Sequence, residues 1–349
     1  MAIWTSLLFV GAALAHSGVK SITVDGTAYP PFDSRIDHLL MPVRRIEWSH
    51  DIVLTTFNPI QNFTDPDLAC RENAKPPLLK APTRAGAEVT FYWTPITRMH
   101  QGPIITYLGL LPTPDTPPQQ VKFFKIFEKG FDASIDRWAN EWASENGDSY
   151  KVRIPSDIKS GTYILRTELI ALHGNMKNLN KGALAGIQWY PYCFNLDIVG
   201  SGDAQPEGVT FPGAYKPTDP GFTFQPFMTY GNESGTEQNS KYTLPGPPLY
   251  TGKFEAPTGP RPVAKETGAY PTDLEVKYMD MLHKIERPGL NLATFVNSAW
   301  YHYKPDKESF KKYGGMVVSA SKETKEIIKG LFEDIEAFKK LQAALPVPA

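Results

Sequence analysis

The stretch Gly161-Thr162-Tyr163-Ile164-Leu165-Arg166-Thr167-Glu168-Leu169-Ile170-Ala171-Leu172-His173 reads as one long strand. Tyr163, Leu165, Thr167 and Leu169 fall on one face and Ile164, Arg166, Glu168 and Ile170 on the other, the period-2 alternation of extended chain. His173 closes it. Further on, in Gly186-Ile187-Gln188-Trp189-Tyr190-Pro191-Tyr192-Cys193, the same period places Gln188 and Tyr190 on one face and Cys193 on the opposite one. Upstream, Val89, Phe91 and Trp93 alternate, and Ile104 to Leu108 forms a short, mostly apolar run. These segments predict a mostly β fold, with the strands forming a sandwich.

Composition agrees. The chain has 349 residues, 41% of them hydrophobic, enough for one large core or a core plus an appendage. Its 27 glycines and 32 prolines make up about a sixth of the residues, against ~12% in ordinary usage, which favours a loop-rich β fold over a helical bundle. With 36 Lys and Arg against 37 Asp and Glu, the net charge of -1 offers no bulk field to attract nucleic acid or anionic lipid. One helical insertion is expected between Asp132 and Asp148, where Ile135, Trp138 and Trp142 recur at helical spacing before Asn146-Gly147.

Residues 1 to 15 carry no charged side chain and end in Ala13-Leu14-Ala15, an apolar run followed by an A-x-A cleavage signature. This predicts a secretory signal and an extracellular protein. Ser17 and Lys20 follow too soon for a membrane-spanning helix of about 20 apolar residues. Cleavage after Ala15 makes His16 the first mature residue. An N-terminal histidine offers two nitrogen ligands, its α-amine and its imidazole, in one chelate. The α-amine has an ordinary pKa of about 7.7 to 8.0, so a metal can displace its proton near neutrality. Nitrogen ligands in a square or T-shaped plane suit Cu(II). The remaining histidines are His38, His50, His100, His173, His283 and His302, and His100 sits in a loop between two strand-like segments, where a scaffold can position a ligand.

Cys70 and Cys193 are the two cysteines, and in a secreted chain a single disulfide is the expected state. Asn62-Phe63-Thr64 and Asn232-Glu233-Ser234 are glycosylation acceptors. Composition shifts near residue 254. Residues 254–349 hold 14 basic and 13 acidic residues, about 28% charged, against about 18% before them. This extension opens with Pro- and Gly-rich sequence. Near 321–345, Ile327, Ile328, Leu331, Ile335, Phe338 and Leu345 form an amphipathic helical stripe. Its charged helix is expected to be a solvated or partner-binding element.

Several separated motifs resemble those of the fungal lytic polysaccharide monooxygenases of auxiliary activity family nine, formerly glycoside hydrolase family sixty-one. They are the Ile22-Thr23-Val24-Asp25-Gly26 turn behind His16, Asp65-Pro66-Asp67-Leu68-Ala69-Cys70, the His100-Gln101-Gly102-Pro103 loop, Phe124-Lys125-Ile126-Phe127-Glu128-Lys129-Gly130, the two long strands quoted above, Phe211-Pro212-Gly213-Ala214-Tyr215 and Leu244-Pro245-Gly246-Pro247. The resemblance covers roughly residues 16 to 253. It implies an immunoglobulin-like antiparallel β-sandwich with loop and short helical insertions, binding one copper ion per chain on a flat face. His16 and His100 would form a histidine brace, Tyr190 the axial group, and His173 with Gln188 the pair that hydrogen-bonds oxygen species near the metal. Cys70 with Cys193 matches the family's bridge. The implied activity is oxidative cleavage of cellulose or a related β-1,4-glucan at C1 or C4, with O2 or H2O2 and an external electron donor, by a secreted monomer. Tyr29 and Tyr215 are candidate substrate contacts on that face.

The chain departs from the family pattern in places. Arg71 follows Cys70 where an asparagine is usual, Thr167 stands between Arg166 and Glu168 where many relatives have histidine, and residues 254–349 have no counterpart. No cysteine-rich cellulose-binding module follows, and the C-terminal residues lack the hydrophobic tail of a lipid-anchor signal. Two rival readings remain open. One is a glycoside hydrolase using Glu168 and Asp197 as its carboxylates; the other is a copper-binding, wall-associated protein that cleaves nothing.

Overall fold

The computed structural model describes residues 17–34, 36–41, 43–50, 59–175, 186–227, 235–286 and 322–345. Along them lie β1 (Val19–Val24), β2 (Thr27–Tyr29), β3 (Ala81–Arg84), β4 (Glu88–Trp93), β5 (Ile104–Leu110), β6 (Phe123–Lys129), β7 (Phe131–Asp132), β8 (Arg137–Trp138), α1 (Ala139–Glu145), β9 (Ser149–Arg153), β10 (Gly161–Gly174) and β11 (Gly186–Val199). Two one-turn helices follow, α2 (Pro220–Thr223) and α3 (Thr236–Asn239), then α4 (Thr272–Glu286) and α5 (Lys322–Ala343).

The strands form two facing sheets, one of order β2-β1-β4-β9 and one of order β3-β11-β10-β5-β6, plus the small β7-β8 hairpin. All neighbours pair antiparallel except β11 with β3, which is a parallel edge. The expected sandwich is therefore present. Between the sheets lies a core to which Ile22, Phe91, Trp93 and Tyr150 contribute from one side and Tyr163, Leu165, Tyr190, Tyr192 and Phe194 from the other. A second core covers the opposite face of the larger sheet, with Trp48, Tyr107, Ile164, Ile170, Trp189 and Cys193. The two long strands are thus buried on both faces, and this explains why β10 carries apolar residues at odd and even positions alike. Apart from their ends, β10 and β11 pair residue for residue, with Thr167 opposite Tyr192 and Ala171 opposite Gln188.

Two polar side chains within β10 stay buried because each is paired. Arg166 donates to the backbone carbonyls of Ala69 and Leu68, both at 2.8 Å, and to Glu168 at 2.9 Å. Tyr215 donates to the other oxygen of Glu168. Cys70 and Cys193 form the expected disulfide, Cα to Cα 5.3 Å, and tie this same loop to β11.

The helical insertion is shorter than its spacing predicts. Ile135 is exposed in the turn between β7 and β8, and α1 begins only at Ala139, where the Glu141 carboxylate accepts the Trp138 backbone N–H at 2.9 Å. It ends at Asn146, followed by Gly147 at φ +71°, as the sequence suggested.

Residues 254–286 and 322–345 are not a solvated appendage. Phe254 and Ala264 pack against the inter-sheet core. A third core joins Phe32, Ile36, Leu39, Leu40 and Val43 to Tyr270, Leu274, Tyr278, Met281 and Leu282 near and on α4 and to Leu331, Ile335 and Phe338 on α5. Beneath it, Arg45 is buried in a bidentate pair with Asp37 (3.0 and 3.2 Å), its guanidinium 5.0 Å from the Tyr270 ring and 5.6 Å from that of Tyr278. The α4 pattern Leu274, Tyr278, Met281 and Leu282 follows i, i+4, i+7, i+8 spacing, a helical signal that the sequence reading did not pick out.

Candidate metal centre

His100 stands in the loop between β4 and β5, and three supports hold that loop. From α1, Asn140 Oδ1 accepts the Gly102 backbone N–H at 3.2 Å, and Glu141 Oε1 accepts the Gln101 side-chain amide at 2.8 Å. From β10, the Leu172 N–H donates to the Gln101 carbonyl and the Ile170 N–H to that of Pro103, at 2.9 and 3.0 Å. At the loop's start the His100 N–H closes a turn onto the Thr97 carbonyl at 3.2 Å. Gly102 is required here, since a Cβ at that position would collide with the Ile170 carbonyl oxygen.

These supports bring His100 to the end of β10 and β11 where His173, Gln188 and Tyr190 lie. The rings of His100 and His173 stack with centroids 4.6 Å apart and 22° between planes. Those of His100 and Tyr190 lie 5.7 Å apart at 29°. The Tyr190 hydroxyl donates to Gln188 Oε1 at 2.8 Å, leaving the amide nitrogen as the donor end of that side chain. Burial pushes the Tyr190 phenol well above the usual tyrosine range, so it stays neutral.

A small cavity is lined by His100 and Tyr190 together with Ser17, Ile96, Asn140, Leu169, Ile170 and Ala171. His16 lies outside the described residues, as do the leader and Asn232. Its neighbour Ser17 is anchored in the cavity wall, with Oγ donating to the Pro95 carbonyl at 2.9 Å, and the Gly18 N–H donates to Thr94 Oγ1 at 3.0 Å. The chain just after residue 16 is therefore bound to the segment that leads into His100.

Two sequence expectations fail. Tyr29 and Tyr215, expected on a substrate face, are buried at 1% and 3% exposure. Tyr29 closes one end of the inter-sheet core, and burial pushes its hydroxyl up to about 12. Tyr215 is held inward by Glu168 and by the Tyr107 hydroxyl at 2.6 Å. Beside the site it is Met99, 60% exposed, that faces solvent. Asn62 is exposed, as a glycosylation acceptor requires.

Sequence reasoning missed Asn140 and Glu141, which sat in a helix read only as packing, and Arg71, which was noted only as a departure. The Arg71 guanidinium lies 4.7 Å from the Tyr192 ring centroid and 5.6 Å from that of Tyr190.

The two-sheet sandwich thus carries a cluster of histidine, tyrosine and glutamine side chains at one end of its longest strands, near the start of the described chain. The family model described as Auxiliary Activity family 9 (formerly GH61) matches residues 16–235, and the chain belongs to this family of lytic polysaccharide monooxygenases. It is 34% identical over 276 residues to AA9 family lytic polysaccharide monooxygenase I of Botryotinia fuckeliana (strain B05.10), covering 76% of this chain and 97% of that protein. It is 37% identical over 245 residues to monooxygenase B of Aspergillus tamarii, where the match spans 68% of this chain and only 61% of the relative. Among solved structures, the glycoside hydrolase family 61 member Cel61B from Hypocrea jecorina superposes with a TM-score of 0.57 at 29% identity, covering 67% of this chain and all of that one.

Proposed function

We propose that this protein is a secreted, monomeric, copper-dependent monooxygenase that cleaves cellulose or a related β-1,4-glucan at C1 or C4. The observation that carries the reading is the convergence of His100, His173, Gln188 and Tyr190 on one site, whose cavity Ser17 also lines. The family match begins at His16. The donor set fits copper. Two imidazoles and an α-amine are neutral nitrogens that would accommodate both copper oxidation states, and the buried Tyr190 phenol beside His100 is neutral too.

His16, through its amine and ring, and His100, through its ring, would hold the ion, and Tyr190, whose ring stacks against that of His100, would stand beside it. Copper, when bound, supplies one-electron redox chemistry with O2 or H2O2, using electrons from an external donor. His173, stacked on His100, would hold or deliver a proton near the ion, and Gln188 would present a donor that does not titrate. The apolar wall of Ile96, Leu169, Ile170 and Ala171 keeps bulk water away from these groups.

The hydrolase alternative loses its carboxylates. Glu168 is fully buried and committed to Arg166 and Tyr215, while Asp197 is exposed six residues further along the pairing, roughly 20 Å away at 3.3 Å per residue. Mass spectrometry of products from cellulose, using processed and copper-loaded protein with and without ascorbate, tests the reading. Aldonic acids or C4-ketosugars that require both copper and reductant are expected. A protein with one methionine added before His16 should lose this activity, and full activity in that variant would defeat the brace. Tight copper binding with no oxidised product from any glucan would favour the wall-associated alternative.

A further inference from the structure

Arg71 occupies a position that its residue type does not suit. Its φ is +81°, a backbone region where glycine or asparagine is cheaper. Its side chain is also taken out of water, at 1% exposure for the whole residue. A buried cation on a strained backbone is costly, a cost the nearby Glu47 offsets in part, and the side chain still supplies something that a smaller residue could not. What it supplies is a fixed positive charge against the aromatic faces of Tyr190 and Tyr192. The placement is rigid. Cys70 next to it is bonded to Cys193 on the same strand as both tyrosines, and the Arg71 N–H donates to the Asp67 carbonyl at 2.7 Å.

We propose that Arg71 is a positioning residue of the metal centre, holding the Tyr190 ring in place and setting a permanent positive charge behind it that favours the reduced, less charged state of the ion. The proposal rests on the copper reading above. Arg71 acts through the ring of Tyr190.

The test is the ratio of Cu(I) to Cu(II) affinity, measured by competition of copper ions between the full-length processed protein and chelators specific for each state. In R71M the ratio is expected to fall about tenfold, the effect of removing one charge roughly 12 Å from the site, across the Tyr190 ring, at an effective permittivity near 20. For a one-electron couple this equals a drop of roughly 59 mV. R71K keeps the charge but not the planar stacking, so its ratio should stay within about twofold of the parent while its Cu(II) electron paramagnetic resonance spectrum changes. R71Q serves as a second neutral variant if R71M does not fold. An unchanged ratio in a folded neutral variant, or an equal fall in R71K, would overturn the role of the charge. Failure of the parent protein to bind copper would instead remove the reading on which the proposal rests. Copper binding without glucan oxidation would leave the Arg71 result standing.

Discussion

Glu47 shows how one buried residue governs a pH response. Its carboxylate accepts the Phe32 backbone N–H at 2.8 Å and lies 3.3 Å from His50 Nε2, yet burial pushes its pKa well above the ordinary carboxylate range. The folded state therefore binds this proton more tightly than the unfolded chain does. The stability it contributes is fully present below the unfolded value of about 4.3 and is lost as pH rises through the folded value, at up to 1.36 kcal/mol per unit. Glu47→Gln keeps an acceptor for Phe32 and removes the titration. Denaturant unfolding across pH 4 to 8 should show the parent losing stability relative to this variant, and parallel curves would contradict the assignment. At this scale the sequence exposed residue types but not their surroundings. Gln188 and Tyr190 were legible as a pair on one face because strand geometry repeats every two residues. The inward turn of Tyr29 and Tyr215 was not, because burial depends on what another segment lays over them.

At the scale of elements, α1 serves as a clamp on the His100 loop. Its N-terminal residues Asn140 and Glu141 accept hydrogen bonds from Gly102 and Gln101, the two residues that follow His100. Replacing Asn140 by Ala leaves a buried N–H unsatisfied and is expected to cost about 1 to 3 kcal/mol. It should also weaken copper binding, since the loop loses its register against β10. Thermal unfolding and copper titration of Asn140→Ala check both, and unchanged copper affinity would assign α1 a packing role only. The helix itself was legible from its tryptophan spacing. Its start was not, because the β7-β8 hairpin takes up the residues around Ile135.

For the molecule as a whole, the extension after residue 253 completes a core rather than trailing from one. Leu331, Ile335 and Phe338 of α5 and Tyr278 and Met281 of α4 cover Phe32, Ile36, Leu39, Leu40 and Val43. Arg44 and Glu266 form a bidentate pair across the same junction, and Lys284 on α4 reaches Asp334 on α5 at 2.6 Å. Truncation after residue 253 is expected to expose this apolar set. The shortened protein should bind a hydrophobic dye more strongly and unfold at lower temperature than the full chain, and unchanged dye binding and melting would show that residues 32–43 find other cover. Phe338→Ala, a milder test, is expected to cost about 3 to 5 kcal/mol of the local stability of this unit, read by hydrogen exchange in α4 and α5.

Local periodicity determined the long strands of the sandwich and the faces on which Gln188, Tyr190 and Cys193 lie, and spaced motifs determined the family and the candidate ligands. These properties repeat along the chain or depend on residues close in sequence. Tertiary structure alone decided that Asn140 steadies the loop of His100, that Arg71 lies over the ring of Tyr190, that Tyr29 and Tyr215 are core, and that the charged extension covers Phe32, Ile36, Leu39, Leu40 and Val43. Each of these joins segments tens to hundreds of residues apart, where energy comes from burial and hydrogen bonding between surfaces that no local pattern encodes.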